Sequence, residues 1–96
     1  HAQAWPTADV YVARIQDELN MEPEQLEKVR VIINEIAKKR LEISSQLPLG
    51  LTQAQAQGFY METYHRLSTV LTVEQMKQWE PLHELLLKET EFGAGE

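Results

Sequence analysis

Leu71-Thr72-Val73-Glu74-Gln75 reads as a helix start, and the same five-residue pattern stands at Leu51-Thr52-Gln53-Ala54-Gln55 and, in looser form, at Met21-Glu22-Pro23-Glu24-Gln25. In the two Leu-Thr copies the threonine is the N-cap, and the glutamine three residues on reaches back to the cap's backbone N–H. Met21, Leu51 and Leu71 precede the cap, where a staple contact to Leu26, Ala56 and Met76 is expected. In the first copy Glu22 replaces the hydroxyl residue and weakens the cap, while Pro23 falls at the first helical position, where its missing N–H costs nothing. Three boxes in one short chain punctuate it into helices.

The rest of the chain fits that reading. Thr7 can cap a first helix running to about Leu19, with Val10, Ile15 and Leu19 among its apolar positions. A second helix is predicted from Pro23 to about Gln46, because Leu26, Val29, Ile33, Ile36 and Ile43 recur on three- and four-residue steps. Arg40 interrupts that seam, with its stem packing and its head reaching solvent. Leu47-Pro48-Leu49-Gly50 breaks the helix. The third helix starts at Thr52 and must end near Val70, carrying Ala56, Tyr60, Tyr64 and Leu67 along one side. Pro81, inside the fourth, is expected to kink it or to break it near Trp79-Glu80, with a fresh turn from His83 to Leu87.

A second helix of that length spans about 36 Å, more than the roughly 26 Å of a compact globule of this size, so an elongated molecule is expected. The predicted fold is all-α: four helices in an elongated, curved antiparallel hairpin, the second packed against the third and fourth and the first folded back at one end. Val31 and Ile32 widen the apolar arc of the second helix and suggest a dimer interface, a client-binding face, or coverage by the first helix. The expected organisation is an N-terminal segment over residues 1–6, a single helical domain over 7–91 and a flexible tail over 92–96.

Composition narrows the function classes. A chain of 96 residues has a modest core, and with no cysteine it has neither disulfide nor thiolate site, so packing alone must hold it. A formal charge of −6 argues against general nucleic-acid binding. No apolar run approaches the roughly 18 residues of a membrane span, so no membrane insertion is expected.

The helix-start boxes resemble those of the LTxxQ-motif family, the CpxP/Spy-like bacterial envelope proteins. Leu19-Asn20-Met21-Glu22-Pro23-Glu24-Gln25 is similar to the family's first helix start and Val70-Leu71-Thr72-Val73-Glu74-Gln75-Met76 to its last, and the likeness extends over about residues 19–90. The resemblance implies a periplasmic location, and Ala2-Gln3-Ala4 has the small-x-small form of a signal-peptidase site. It implies a bent hairpin paired into a cradle-shaped homodimer. It also implies a non-enzymatic, stress-related role without a cofactor, either holding unfolded envelope proteins or engaging a sensor domain on an apolar concave surface. Lys28, Ile32, Lys39, Phe59 and Trp79 are the candidate contacts, Lys28, Ile32 and Lys39 lying near one helical line. The bland alternative for the basic residues is surface pairing, with Glu24–Lys28 and Glu35–Lys39 at i,i+4.

Enzyme signatures are missing from the sequence: it has no Gly-rich phosphate loop, nucleophile elbow or His-Glu-x-x-His. Glu62 and His65 stand at i,i+3 on one helix and could supply two metal ligands, with distant His83 or a second copy completing the shell. Some members of the resembled family bind metals through histidines, which makes a zinc, copper or nickel sensor or reservoir the alternative function.

Overall fold

A computed structural model describes residues 8–94, with side chains through residue 86. It contains four helices, α1 (Ala8–Leu19), α2 (Pro23–Ser44), α3 (Gln53–Ser68) and α4 (Val73–Ala94), and no strand among the described residues. Thr7 and the Ala2-Gln3-Ala4 segment lie outside the described residues.

The helix starts form as the cap chemistry dictates. Gln55 and Gln75 donate their backbone N–H to Thr52 Oγ1 and Thr72 Oγ1 at 3.1 Å, and the two threonine N–H groups donate to the glutamine Oε1 atoms at 2.9 Å. At the degenerate copy Glu22 N–H likewise donates to Gln25 Oε1 at 2.9 Å. The first turn is closed at Asn20, whose φ of +52° is left-handed and suits an asparagine after a helix C-terminus.

Two of the box glutamines do more than cap. Gln25 Nε2 donates to Gln75 Oε1 at 2.8 Å and to the Val70 carbonyl at 3.1 Å, and Gln75 Nε2 donates to the Leu19 carbonyl at 3.3 Å. The C-terminal ends of α1 and α3 and the N-terminal starts of α2 and α4 therefore meet at one pole. Further along, Lys39 pairs with Glu62 and Glu35 with Arg66, which makes α2 and α3 antiparallel, while Tyr60 bonds to Glu80 across an antiparallel α3–α4 pair. The helices run up, down, up, down. Each packs on its two neighbours in a closed ring, because α1 also packs on α4, while the backbones of α2 and α4 make no close approach among the described residues and meet through side chains such as Gln25 and Gln75.

This ring differs from the expected hairpin of α2 against α3 and α4. The Thr72 cap and the turn before it reverse the chain, so α4 folds back on α3 and lies diagonally from α2. The molecule measures 39 × 22 × 19 Å, and its radius of gyration of 13.1 Å is that of a compact chain of about 100 residues, so the expected elongated shape gives way to a compact bundle in which α1 and α4 fold back along α2 and α3.

Tyr11, Val12, Ile15 and Leu19 of α1, Val29, Ile32, Ile33 and Ile36 of α2, Phe59 and Leu67 of α3, Leu71 of the α3–α4 turn, and Met76, Trp79, Leu82 and Leu86 of α4 form the core. Fully buried side chains such as Ile33 and Ile36 are worth about 1.5–3 kcal/mol each. Three expectations change here. Val10 is exposed and its neighbours Tyr11 and Val12 are the buried pair; Ile43 is partly exposed; and Arg40 is buried, its head not reaching solvent. Ile43 lies past α1's reach: a 12-residue helix spans about 18 Å against about 33 Å for the 22 residues of α2. α4 also stays helical through Pro81 and on to Ala94. Pro81 sits on the solvent face beside exposed Glu80, so its ring avoids the core and the carbonyl at exposed Lys77 can be hydrated.

Candidate functional site

At the half of the bundle away from the glutamine pole, the core turns polar. Trp79 Nε1–H donates to Tyr11 Oη at 2.8 Å, and Tyr11 Oη lies 2.7 Å from His83 Nδ1. The hydroxyl and Nδ1 share this bond, the donor being set by the imidazole tautomer. The chain crosses from α4 to α1 and back. Tyr60 from α3 stacks on Trp79 at 5.7 Å and 18°, and Arg40 from α2 places its guanidinium 5.7 Å from the Phe59 ring centre. Thr63, fully buried, satisfies its hydroxyl on the Phe59 carbonyl at 2.7 Å.

Burial sets the acid–base character of this cluster. Burial, with the Arg40 charge second, pushes His83 down to about 4. Burial raises Tyr11 above the ordinary phenol range, with the bond from Trp79 acting the other way. Tyr60 is pushed up to about 12, chiefly because it donates to the Glu80 carboxylate at 2.6 Å. At neutral pH the cluster is therefore a set of neutral groups beside one guanidinium, suited to holding the core together.

The residues singled out by sequence divide sharply. Lys28 and Lys39 are exposed, whereas Ile32, Phe59 and Trp79 are core, at 7%, 7% and 0% exposure. As candidate contacts these three are corrected: their apolar side chains are already spent on neighbouring helices, and a partner cannot reach them in this state. Lys39 and Glu35, expected to pair along α2, instead reach α3. Lys39 Nζ lies 2.8 Å from Glu62, and Arg66 lies 2.6 Å from Glu35 and 3.7 Å from Glu62. Such exposed pairs are worth at most about 1 kcal/mol.

The proposed ligand set of Glu62, His65 and His83 is not assembled. Glu62 is engaged by Lys39, His65 is exposed with its ring edge-on to Tyr64 at 5.7 Å, and His83 is inside the core on Tyr11. Among the described residues no group of three or more His, Cys, Asp or Glu side chains gathers as a metal site would require. An open groove of about 380 Å³ between α1 and α4 is lined by Glu18, Gln78, Pro81, Leu82 and Leu85, with Glu18 its one carboxylate.

Exposed large apolar side chains are spread over the described residues, Val10, Val31, Met61, Val73 and Leu85 among them, and the most exposed, Leu49, stands at the α2–α3 connection, which sequence reasoning treated only as a helix break. Gly50 N–H donates to the Leu47 carbonyl at 3.1 Å and Gly50 has φ +82°, so Leu47-Pro48-Leu49-Gly50 is a closed turn. Pro48 presets the second position of that turn, and Leu49 follows it at the tip, 98% exposed. Leu41 and Ile43, in the last turns of α2, are 63% and 38% exposed. Two leucines bracketing a proline in a turn were the available signal.

Comparison with protein-family models, curated proteins and solved structures gives no match. Function must accordingly be read from the surfaces and the core described above. No helix among the described residues is long and apolar enough to cross a membrane.

Proposed function

We propose that this chain is a non-enzymatic, stress-related protein-binding domain of the periplasm, of the LTxxQ-like kind, that holds apolar segments of unfolded envelope proteins or engages a sensor domain. The observation that carries the reading is the exposure of Leu41 and Ile43 in the last turns of α2 and of Leu49 at the tip of the turn that follows, large apolar side chains that stand in water. Leaving a leucine almost wholly exposed forgoes about 1.5–3 kcal/mol of burial, which a binding partner can recover. Exposed Lys28 on α2 adds positive charge to an otherwise acidic chain and suits acidic stretches of a client, while Lys39 would have to leave Glu62 to do the same. A homodimer that pairs two apolar ends, or joins two bundles into a curved cradle, belongs to the same proposal.

The test is aggregation of several unrelated unfolded clients at a near-stoichiometric ratio. The domain should slow it, and Leu41→Ser with Leu49→Ser should remove most of the effect while leaving the melting temperature unchanged. No slowing for any client would end the chaperone reading. Sedimentation of parent and double variant decides the dimer.

A further inference from the structure

The apolar faces of α2 and α4 are covered in part by the shortest helix of the bundle. α1 has 12 residues, a length at which an isolated helix is marginal in water, so its place is held by tertiary contacts. It lays Tyr11, Val12, Ile15 and Leu19 on the core. Its described ties to α4 include the Gln75 Nε2 bond to the Leu19 carbonyl at the glutamine pole and, half a bundle away, the chain from Trp79 through Tyr11 to His83.

That second tie depends on a neutral imidazole. Tyr11 Oη and His83 Nδ1 lie 2.7 Å apart beneath the indole N–H; in the imidazolium both ring nitrogens carry a proton, so Nδ1 can only donate and the phenol oxygen then accepts from both Trp79 and His83. The new charge would also sit at a residue only 2% exposed. Around it stand the rings of Trp79 on its own helix at 4.8 Å, Tyr60 from α3 at 5.6 Å and Tyr11 from α1 at 5.8 Å. The charged group acting on it from α2 is the Arg40 guanidinium, of like sign. Glu80 of α4 faces outward and is engaged by Tyr60 at 2.6 Å, and Glu84 is exposed. Desolvation and like charge both oppose the imidazolium, so acid acts against the packed arrangement and favours any state that hydrates His83.

We propose that the Trp79–Tyr11–His83 chain is an acid-sensitive latch, whose protonation at His83 frees α1 from α4 and uncovers the apolar faces of α2 and α4 to unfolded polypeptide. The faces uncovered would include Ile33 and Ile36 of α2 and Leu82 of α4, and would bring the core residue Trp79 within a client's reach. The nature of the ligand rests on the protein-binding reading above; the latch itself does not.

Trp5→Phe leaves Trp79 as the single tryptophan, so its emission reports on the latch. In that protein, lowering the pH from about 7 to about 4 should shift the emission to the red and produce binding of an apolar dye, while helicity falls by no more than the share of α1. His83→Gln keeps an acceptor for Tyr11 without a group that titrates in this range, and should move the midpoint down by about one pH unit or more. Tyr11→Phe, which keeps the ring and removes the bonds to Trp79 and His83, should bind dye several-fold more than the parent already at neutral pH. An unchanged midpoint in His83→Gln, or dye binding that coincides with loss of all helix, would overturn the latch. Equal retention of an unfolded client by the open and closed forms would overturn its role in binding. Client aggregation at neutral pH scores the protein-binding reading on its own, so a latch without binding and binding without a latch give different results.

Discussion

Gln75→Ala removes one half of a capping box and, with it, the tie between four helix ends. In the parent, Gln75 Oε1 accepts from the Thr72 N–H at 2.9 Å and from Gln25 Nε2 at 2.8 Å, and Nε2 donates to the Leu19 carbonyl at 3.3 Å. At about 0.5–1.5 kcal/mol net for each bond, the substitution should cost roughly 2–3 kcal/mol. Gln55→Ala is the internal control. Gln55 makes the same reciprocal bond to the Thr52 N–H at 2.9 Å, at the opposite end of the bundle, so its loss should cost only about 0.5–1.5 kcal/mol. Urea unfolding with unchanged m-values measures both. With about 4–8 °C per kcal/mol for a domain of this size, Gln75→Ala should melt roughly 8–24 °C below the parent and well below Gln55→Ala. Gln25→Ala and Gln75→Ala should also couple, the double variant losing less than the sum by about 0.5 kcal/mol or more. Equal costs for Gln75→Ala and Gln55→Ala, with additive behaviour of the Gln25 pair, would refute the idea that these glutamines tie the pole.

Pro81→Ala should raise the urea midpoint by an amount equivalent to about 1–3 kcal/mol, because it restores a helical N–H at an exposed position inside α4; a fall would mean that the bundle needs the proline's geometry. Stability should decline with acid through His83. Its folded pKa of about 4 lies below the ordinary 6.5, so the unfolded state binds the proton first; the contribution is whole above about pH 6.5, falls as the pH drops and levels near pH 4. The shift bounds that loss at about 3 kcal/mol, and the difference between parent and His83→Gln in urea unfolding across this window isolates it from the carboxylates. Zinc, copper and nickel in a few-fold excess should leave the melting temperature unchanged, and a rise abolished by His65→Ala would restore the metal alternative.

The helix starts at Thr52 and Thr72 were legible because capping is local chemistry, set by residues three apart. The meeting of Gln25 with Gln75 was not, since it depends on which helix ends the topology brings together. The apolar seam of α2 was read well through Val29, Ile33 and Ile36, whose spacing is a property of one helix. Arg40 misled because a cation on a seam is ordinarily solvated at its head, whereas here α3 and α4 surround it with Phe59 and His83. On α1, Val10 was named among the apolar positions with Ile15 and Leu19, but the four-residue steps Tyr11, Ile15 and Leu19 mark the buried face and Tyr11 brings a hydroxyl that the core uses. For the binding surface, Phe59 and Trp79 drew attention as aromatics, although large rings at helical spacing are core by default. Leu49 passed unnoticed because exposure at a turn tip follows from turn geometry, not from periodicity.

A map of backbone amide shifts on adding an unfolded polypeptide at neutral pH would test the protein-binding reading most directly. Shifts should concentrate on residues 41–51, at the end of α2 and the Leu49 turn, and should disappear with Leu41→Ser and Leu49→Ser. No saturable shifts, or shifts that stay on the helix faces and ignore both substitutions, would contradict it.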